Sequence, residues 1–355
     1  MALSQQNNQP SFNQELLALA QQLSSHKHGK LLERALSVLL RMSAEEIDRL
    51  DWKIIASALE DMEKGFQTFH PYRHRRKVTI FGSARIGADT QEYQLAVAFA
   101  RRITELGFMV LTGGGGGIMA AGNEGAGRKH SFGLNINLPF EQEANPHILD
   151  DPKLINFKYF FTRKLFFLKE SDAIALFPGG FGTQDEAFET LTLCQTGKQK
   201  PIPLVLVDES GGNYWQLWHE YVCNLVSRNL VSAIDTNLYS ITDNIESACE
   251  LIANFYRVYH STRYVSDLLV MRLNMELSDD NIAQLNQEFS DIILQGKITK
   301  SAPLPPEIGD LTQDLPRIVF YFNQKDLGRL YQMINQINQW GEQSQQNVNL
   351  HPERK

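Results

Sequence analysis

The residues of this chain best equipped for chemistry fall within nine positions, "PGGFGTQDE", from Pro178 to Glu186. A glycine turn that opens a helix presents backbone N–H groups and a positive dipole end, the ordinary receiver of a phosphate or another anion. Two carboxylates, Asp185 and Glu186, follow at once, where they should repel that anion. Thr183 and Glu186 also have the spacing of a capping box, in which hydroxyl and carboxylate satisfy each other's backbone donors. On the residues alone, capping and catalysis weigh equally for Glu186, and Asp185 is expected to be structural.

A cation pair, Arg163-Lys164, precedes this stretch in "FKYFFTRKLFFLKESD". Its apolar neighbours predict a largely buried helix, in which an arginine needs an anionic partner. That partner is an ordinary acid, the Glu186 carboxylate or a ligand phosphate. Lys164 could reach solvent instead.

Three glycine-bearing turns follow strand-like runs. They are Gly82-Ser83-Ala84, the run Gly113 to Gly117, and Gly179-Gly180-Phe181-Gly182. One such loop would be read as a tight turn, but three at strand ends favour a phosphate-bearing ligand. Two common nucleotide motifs fail. The dinucleotide fingerprint has Ile118 where its third glycine belongs, and Arg128-Lys129 follow Gly127 where a P-loop needs Lys then Ser or Thr.

The elements that must position these residues begin at Lys77. Apolar runs at 77–84, 108–114, 131–138, 172–180 and 202–208 alternate with amphipathic helices. Near-continuous apolar strands separated by helices predict a Rossmann-like, doubly wound, mostly parallel sheet over residues 75–255. Residues 1–74 read as a helical N-terminal extension, with Ser43 as an N-cap and Glu46 completing its box. Residues 256–355 read as a small α+β unit of β-α-β-β-α order, similar to ferredoxin-like or ACT-like modules. Its strands are expected at 266–274, around "QGKITKSA" and at 317–323, and its Gln-rich tail after Trp340 is expected to be mobile.

Composition sets further bounds. A net charge of −7 argues against a nucleic-acid binder, and the basic run "HPYRHRRK" at 70–77 is expected to be a solvated linker. Cys194, Cys223 and Cys249 lack paired metal spacing, so neither a metal site nor a disulfide framework is expected. With no membrane-length apolar run and a polar N-terminus, a cytoplasmic protein with no membrane partner is expected.

Taken together, these residues resemble the LOG family, whose members were long described as possible lysine decarboxylases. "PGGFGTQDE" fits its P-G-G-x-G-T-x-x-E motif, Arg163-Lys164 its R-K pair, "TGGGGGIMAAGNEGA" its glycine loop and "VTIFGSAR" its first strand. The resemblance covers roughly residues 75–255. It implies hydrolysis of the N-glycosidic bond of an AMP-like or cytokinin riboside 5′-monophosphate, without a cofactor, in a homodimer or larger homo-oligomer. It puts Arg163 and Glu186 on the family's catalytic pair. Gly82, Ser83, Gly114, Gly115, Gly116, Gly117, Lys164, Gly179, Gly180, Gly182 and Thr183 fall on its substrate and phosphate loops. No Schiff-base lysine with cofactor-holding partners is evident, so pyridoxal-phosphate chemistry is not expected.

Two other readings stay open: a non-catalytic nucleotide sensor or molybdenum-cofactor-carrier-like protein on the same fold, and a scaffold in which the flanking units dominate. The C-terminal unit could also hold a small-molecule effector.

Overall fold

The computed structural model describes residues 12–23, 25–137 and 143–349. Leu138, the last residue of the run 131–138, lies outside them, as do the polar N-terminus through residue 11 and residues 350–355. The chain forms two compact units, Met1–Leu59 and Glu60–Lys355.

The first unit holds helices α1 (Phe12–Gln22) and α2 (Gly29–Ser43) and the start of α3 (Arg49–Phe69). The capping box expected at Ser43 and Glu46 is not formed. Ser43 is the last residue of α2, and its hydroxyl donates back to the Leu40 carbonyl at 2.8 Å. Helix α3 starts only at Arg49.

In the second unit the main sheet is built from β1 (Lys77–Phe81), β2 (Met109–Thr112), β3 (Ser131–Ile136), β4 (Leu154–Phe157), β5 (Ala173–Leu176), β6 (Leu204–Val207) and β7 (Ser240–Thr242). All neighbours pair in parallel, in the order β4-β3-β2-β1-β5-β6-β7. The connecting helices are α4 (Gln91–Glu105), α5 (Ile118–His130), α6 (Phe160–Glu170), α7 (Phe181–Gln195), α8 (Tyr214–Ser227) and α9 (Ile245–Phe255). The sheet is doubly wound, as its apolar strands require: every residue of β1, β2, β5 and β6 is buried. The unexpected strands β4 and β7 are short and lie at the two edges. There one side is open and an apolar run is not needed.

The order reverses between β1 and β5. From β1 the chain moves outward through β2, β3 and β4, then returns to β5 on the other side. Ligands of open α/β sheets bind beyond the carboxyl ends of the strands at such a point. Here that is where Gly82 and Pro178 leave the sheet.

After α9 come β8 (Tyr259–Val265), β9 (Leu268–Leu273), α10 (Asp279–Glu288), β10 (Thr299–Lys300), β11 (Arg317–Phe320) and α11 (Leu327–Asn349). The four strands form an antiparallel sheet ordered β10-β11-β9-β8. The expected β-α-β-β-α order is present, with β8 added before it. Its sequence, "YHSTRYV", is too polar to stand out because β8 is a half-exposed edge strand. Helix α11 runs on past Trp340 to Asn349. In the basic run, Arg73, His74 and Arg75 are exposed as expected, but its last two residues turn inward. Arg76 stacks on the Tyr256 ring at 3.6 Å, and buried Lys77 pairs with Glu170 at 3.4 Å.

Candidate active site

Backbone contacts lock the loops at the switch point together. The Ser83 N–H donates to the Pro178 carbonyl at 3.0 Å, and the Ser83 carbonyl accepts from the Ile118 N–H at 3.0 Å. Glycine is required where these strands of backbone cross. Gly117 sits at φ +61°, and a Cβ there would lie 2.2 Å from the Ser83 carbonyl oxygen. A Cβ on Gly179 would lie 2.1 Å from the Thr183 hydroxyl and 2.9 Å from the Ser83 nitrogen. Gly180 and Gly182 differ: a Cβ on either would meet nothing within 4 Å. The first pair of glycines permits packing, while the second pair faces open space.

That space is a cavity of about 770 Å³, within the usual range for small-molecule sites. Gly82, Ser83, Gly179, Gly180, Gly182 and Thr183 line it, together with Arg163 and Glu186. The structure does not bring Gly114, Gly115, Gly116 or Gly117 to its wall; of that glycine run only Gly113 reaches it. The run instead braces the neighbouring loops. Asn145 donates its amide to the carbonyls of Gly114 and Gly115 at 3.1 and 3.0 Å, and Gly117 packs under Ser83. Lys164 is likewise off the wall. Its ammonium lies 2.7 Å from Asp185 and 2.5 Å from Glu189 on α7. Burial opposes its charge, but these carboxylates outweigh it and hold the Lys164 pKa above its ordinary value.

The capping box at Thr183 and Glu186 is absent. Helix α7 begins at Phe181 with Gly180 as its N-cap and no side-chain cap, so Thr183 already lies inside the first turn. Glu186 is thereby released from a capping role. It is 6% exposed, and its Oε2 is buried without a hydrogen-bond partner. The nearest cation is Lys164, 3.9 Å away. Burial pushes the Glu186 pKa up to about 7, against the pull of Lys164 and Arg163.

Arg163 projects from α6 into the same cavity. Its guanidinium lies 4.9 Å from the Phe160 ring centre and 5.6 Å from that of Phe167. Its Nε is buried without a hydrogen-bond partner, and burial lowers its pKa against the opposing charge of Glu186. An unpartnered carboxylate oxygen and an unpartnered guanidinium N–H in one cavity are costly unless something else meets them. A ligand offering a positive centre and an acceptor would do so.

The raised pKa predicts the pH dependence of stability. Between its ordinary value of 4.5 and about 7, the folded protein holds a proton on Glu186 that the unfolded chain has lost. Stability therefore falls as pH rises through this window, by up to about 3 kcal/mol in all. Glu186→Gln should be more stable than the parent at pH 8 and no more stable at pH 4, as read by denaturant midpoints at both pH values.

Among the wall residues that the sequence did not single out for the site are Arg85, Asn135 and Phe160. Arg85 is exposed at the loop after β1, where its N–H donates to the Ser83 hydroxyl at 3.1 Å. Asn135 interrupts the apolar strand β3, and such a buried polar residue at a strand end could have been flagged. Phe160 looked like one core aromatic among several, yet it is 52% exposed.

A doubly wound parallel sheet defines a Rossmann-like α/β protein, and its buried carboxylate and side-chain-uncapped helix N-terminus lie at the switch point where such folds bind ligands. Comparison with known proteins narrows the class. Residues 107–252 match the family model described as "Possible lysine decarboxylase". The chain is similar to a probable cytokinin riboside 5′-monophosphate phosphoribohydrolase of Oryza sativa subsp. japonica, at 25% identity over 173 residues, covering 48% of this chain and 73% of the relative. It is also similar to a cytokinin riboside 5′-monophosphate phosphoribohydrolase of Arabidopsis thaliana, at 22% identity over 184 residues, 51% of this chain and 84% of the relative. The family model thus falls within the α/β domain, and the named relatives are phosphoribohydrolases of low identity to this chain. Among solved structures it is similar to a molybdenum cofactor binding protein of Rippkaea orientalis, with TM-score 0.34, 21% identity, and coverage of 50% of this chain and 95% of that one. A molybdenum cofactor carrier protein of Chlamydomonas reinhardtii gives TM-score 0.36 and 18% identity, with coverage of 50% and 99%. Among the described residues, no helix is long and apolar enough to cross a membrane.

Proposed function

We propose that this protein hydrolyses the N-glycosidic bond of a nucleoside 5′-monophosphate, giving free base and ribose 5-phosphate. The observation that carries the reading is the buried Glu186 carboxylate, whose Oε2 accepts no hydrogen bond, in the same cavity as the uncapped N-terminus of α7. The first N–H groups of α7 have no partner within the helix, and Gly180 and Gly182 leave room for an oxyanion beside them. The phosphate binds there. The sugar then extends along the cavity towards Glu186.

Breaking the bond between C1′ and the base nitrogen builds positive charge on the ribose ring. An ionised Glu186 stabilises that charge and takes a proton from the water whose oxygen bonds to C1′. The departing base leaves with the electron pair of the broken bond and takes a proton from solvent, to which Glu186 returns the one it accepted. Arg163 favours the ionised form of Glu186 by its charge and offers its unpartnered Nε–H to the nucleotide. Lys164 stays on the carboxylates of α7 and keeps the Arg163 helix against the Glu186 helix.

The substrate class follows from the requirement for two ends, an anion and a ribosyl bond. The relatives' names add cytokinin riboside monophosphates to plain AMP as substrates to test. The purified protein, incubated with a panel of nucleoside 5′-monophosphates and the matching nucleosides, should release free base from the monophosphates, as read by chromatography. Release from nucleosides at an equal rate would remove the role given to the phosphate site. No release from any monophosphate would remove the reading itself.

A further inference from the structure

We infer that Asp61, on the helix that precedes the α/β domain, is a positioning residue that sets Arg163 in the cavity; this rests on the proposed role of Arg163. Helix α6 has no cap of its own, because its N-cap residue, Tyr159, makes no side-chain cap. Asp61, 3% exposed, supplies the missing acceptor from α3. Its carboxylate accepts from the N–H groups of Lys158 at 3.0 Å and Tyr159 at 3.3 Å, and from the Thr162 hydroxyl at 2.7 Å. A carboxylate at this end also complements the helix dipole.

The next residue along the helix is Arg163, and its own N–H donates to the Tyr159 carbonyl at 3.2 Å. Asp61 therefore holds the peptide that starts the turn carrying Arg163. A second grip lies one turn further along each helix. Gly65 leaves space for the Phe166 ring, which a Cβ at position 65 would approach to 2.3 Å. Phe69 stacks on the same ring, with centroids 6.0 Å apart and planes within 11°. Residues 61, 65 and 69 thus form one stripe of α3 that fixes α6 at its cap and at its core. The sequence shows Asp61 only as one acid in a helical extension, 101 residues from Thr162.

A buried carboxylate with three donors could be structural only, so the test must separate the two roles. Base release from AMP is measured for the parent, Asp61→Ala, Asp61→Asn, Arg163→Ala and the Asp61→Ala/Arg163→Ala double variant. Amide hydrogen exchange of residues 158–164 is followed in the same proteins. A displaced catalytic group costs about 10- to 100-fold. Asp61→Ala should lower kcat by that factor with KM within threefold, and Asp61→Asn, which keeps one acceptor oxygen, should recover most of it. In the Arg163→Ala background Asp61→Ala should cost no further kcat, because its effect runs through Arg163. A full additional loss in that background, or an unchanged kcat in Asp61→Ala, would overturn the assignment.

If Asp61→Ala does not fold, Thr162→Val removes one of the three donors and should lower kcat about threefold, again only when Arg163 is present; a loss that persists without Arg163 would overturn the assignment as well. If the parent releases no base, the proposed reaction fails. The exchange measurement then decides the Asp61 contact alone: faster exchange of residues 158–164 in Asp61→Ala supports the grip on α6, and unchanged exchange removes it.

Discussion

Glu186→Gln is expected to lower base release from AMP by about a thousandfold while changing AMP affinity only a few-fold. The substitution keeps size and shape at a position that is 6% exposed, so packing is preserved. It removes the charge that faces the ribosyl cation and the base that accepts the water proton. On the proposed reading the phosphate is held elsewhere, on α7, so binding should survive. Rapid quench for the reaction and calorimetry for binding read the two effects separately. Because the proposed reaction needs Glu186 ionised, kcat/KM of the parent should rise about tenfold per pH unit below about 7 and level off above it. The stability gain of the same variant above pH 7 shares this origin. On the proposed reading the fold bears the cost of a buried carboxylate that the reaction uses, the usual trade between stability and activity.

The second large effect separates glycines of the fold from glycines of the ligand. Gly117→Ala should destabilise the protein by about 3 kcal/mol or more. The new Cβ would lie 2.2 Å from a backbone carbonyl oxygen at a residue with φ +61°, and a backbone neighbour cannot rotate aside. The Ser83 loop must then move, so nucleotide binding falls as well. Gly182→Ala should do the reverse. Its methyl meets nothing within 4 Å, and alanine suits a helix better than glycine by about 0.5–1 kcal/mol. Stability should be unchanged or slightly higher, yet KM for the monophosphate should rise about tenfold, a cost of roughly 1.4 kcal/mol, because the methyl occupies phosphate space. Denaturant midpoints and steady-state kinetics on the two variants test this crossing pattern. Equal effects in both would merge the two classes.

How much of this could be read beforehand depended on burial and on distance along the chain. The central strands β1, β2, β5 and β6 are wholly buried, so their apolar runs announce a parallel sheet. The edge strands β4, β7 and β8 have an exposed side and carry no such run. At Thr183 and Glu186 the spacing fits a cap and a catalytic carboxylate equally well, and only the start of α7 at Phe181 removes the cap. The three glycine loops look alike in sequence. Their difference is tertiary: Gly117 meets Ser83, whereas Gly180 and Gly182 meet nothing. Lys164 and Arg163 are adjacent in sequence but face different partners, since neighbours on a helix do not share a face. Asp61 was beyond reach because no local pattern ties it to α6.

The most direct test of the central claim is where the oxygen of water ends up. AMP turned over by the parent protein in ¹⁸O-labelled water and analysed by mass spectrometry should give adenine and ribose 5-phosphate in equal amounts, with the label on the sugar. Label in inorganic phosphate would mean that the phosphoester bond breaks instead, and AMP recovered intact would contradict the proposed cleavage.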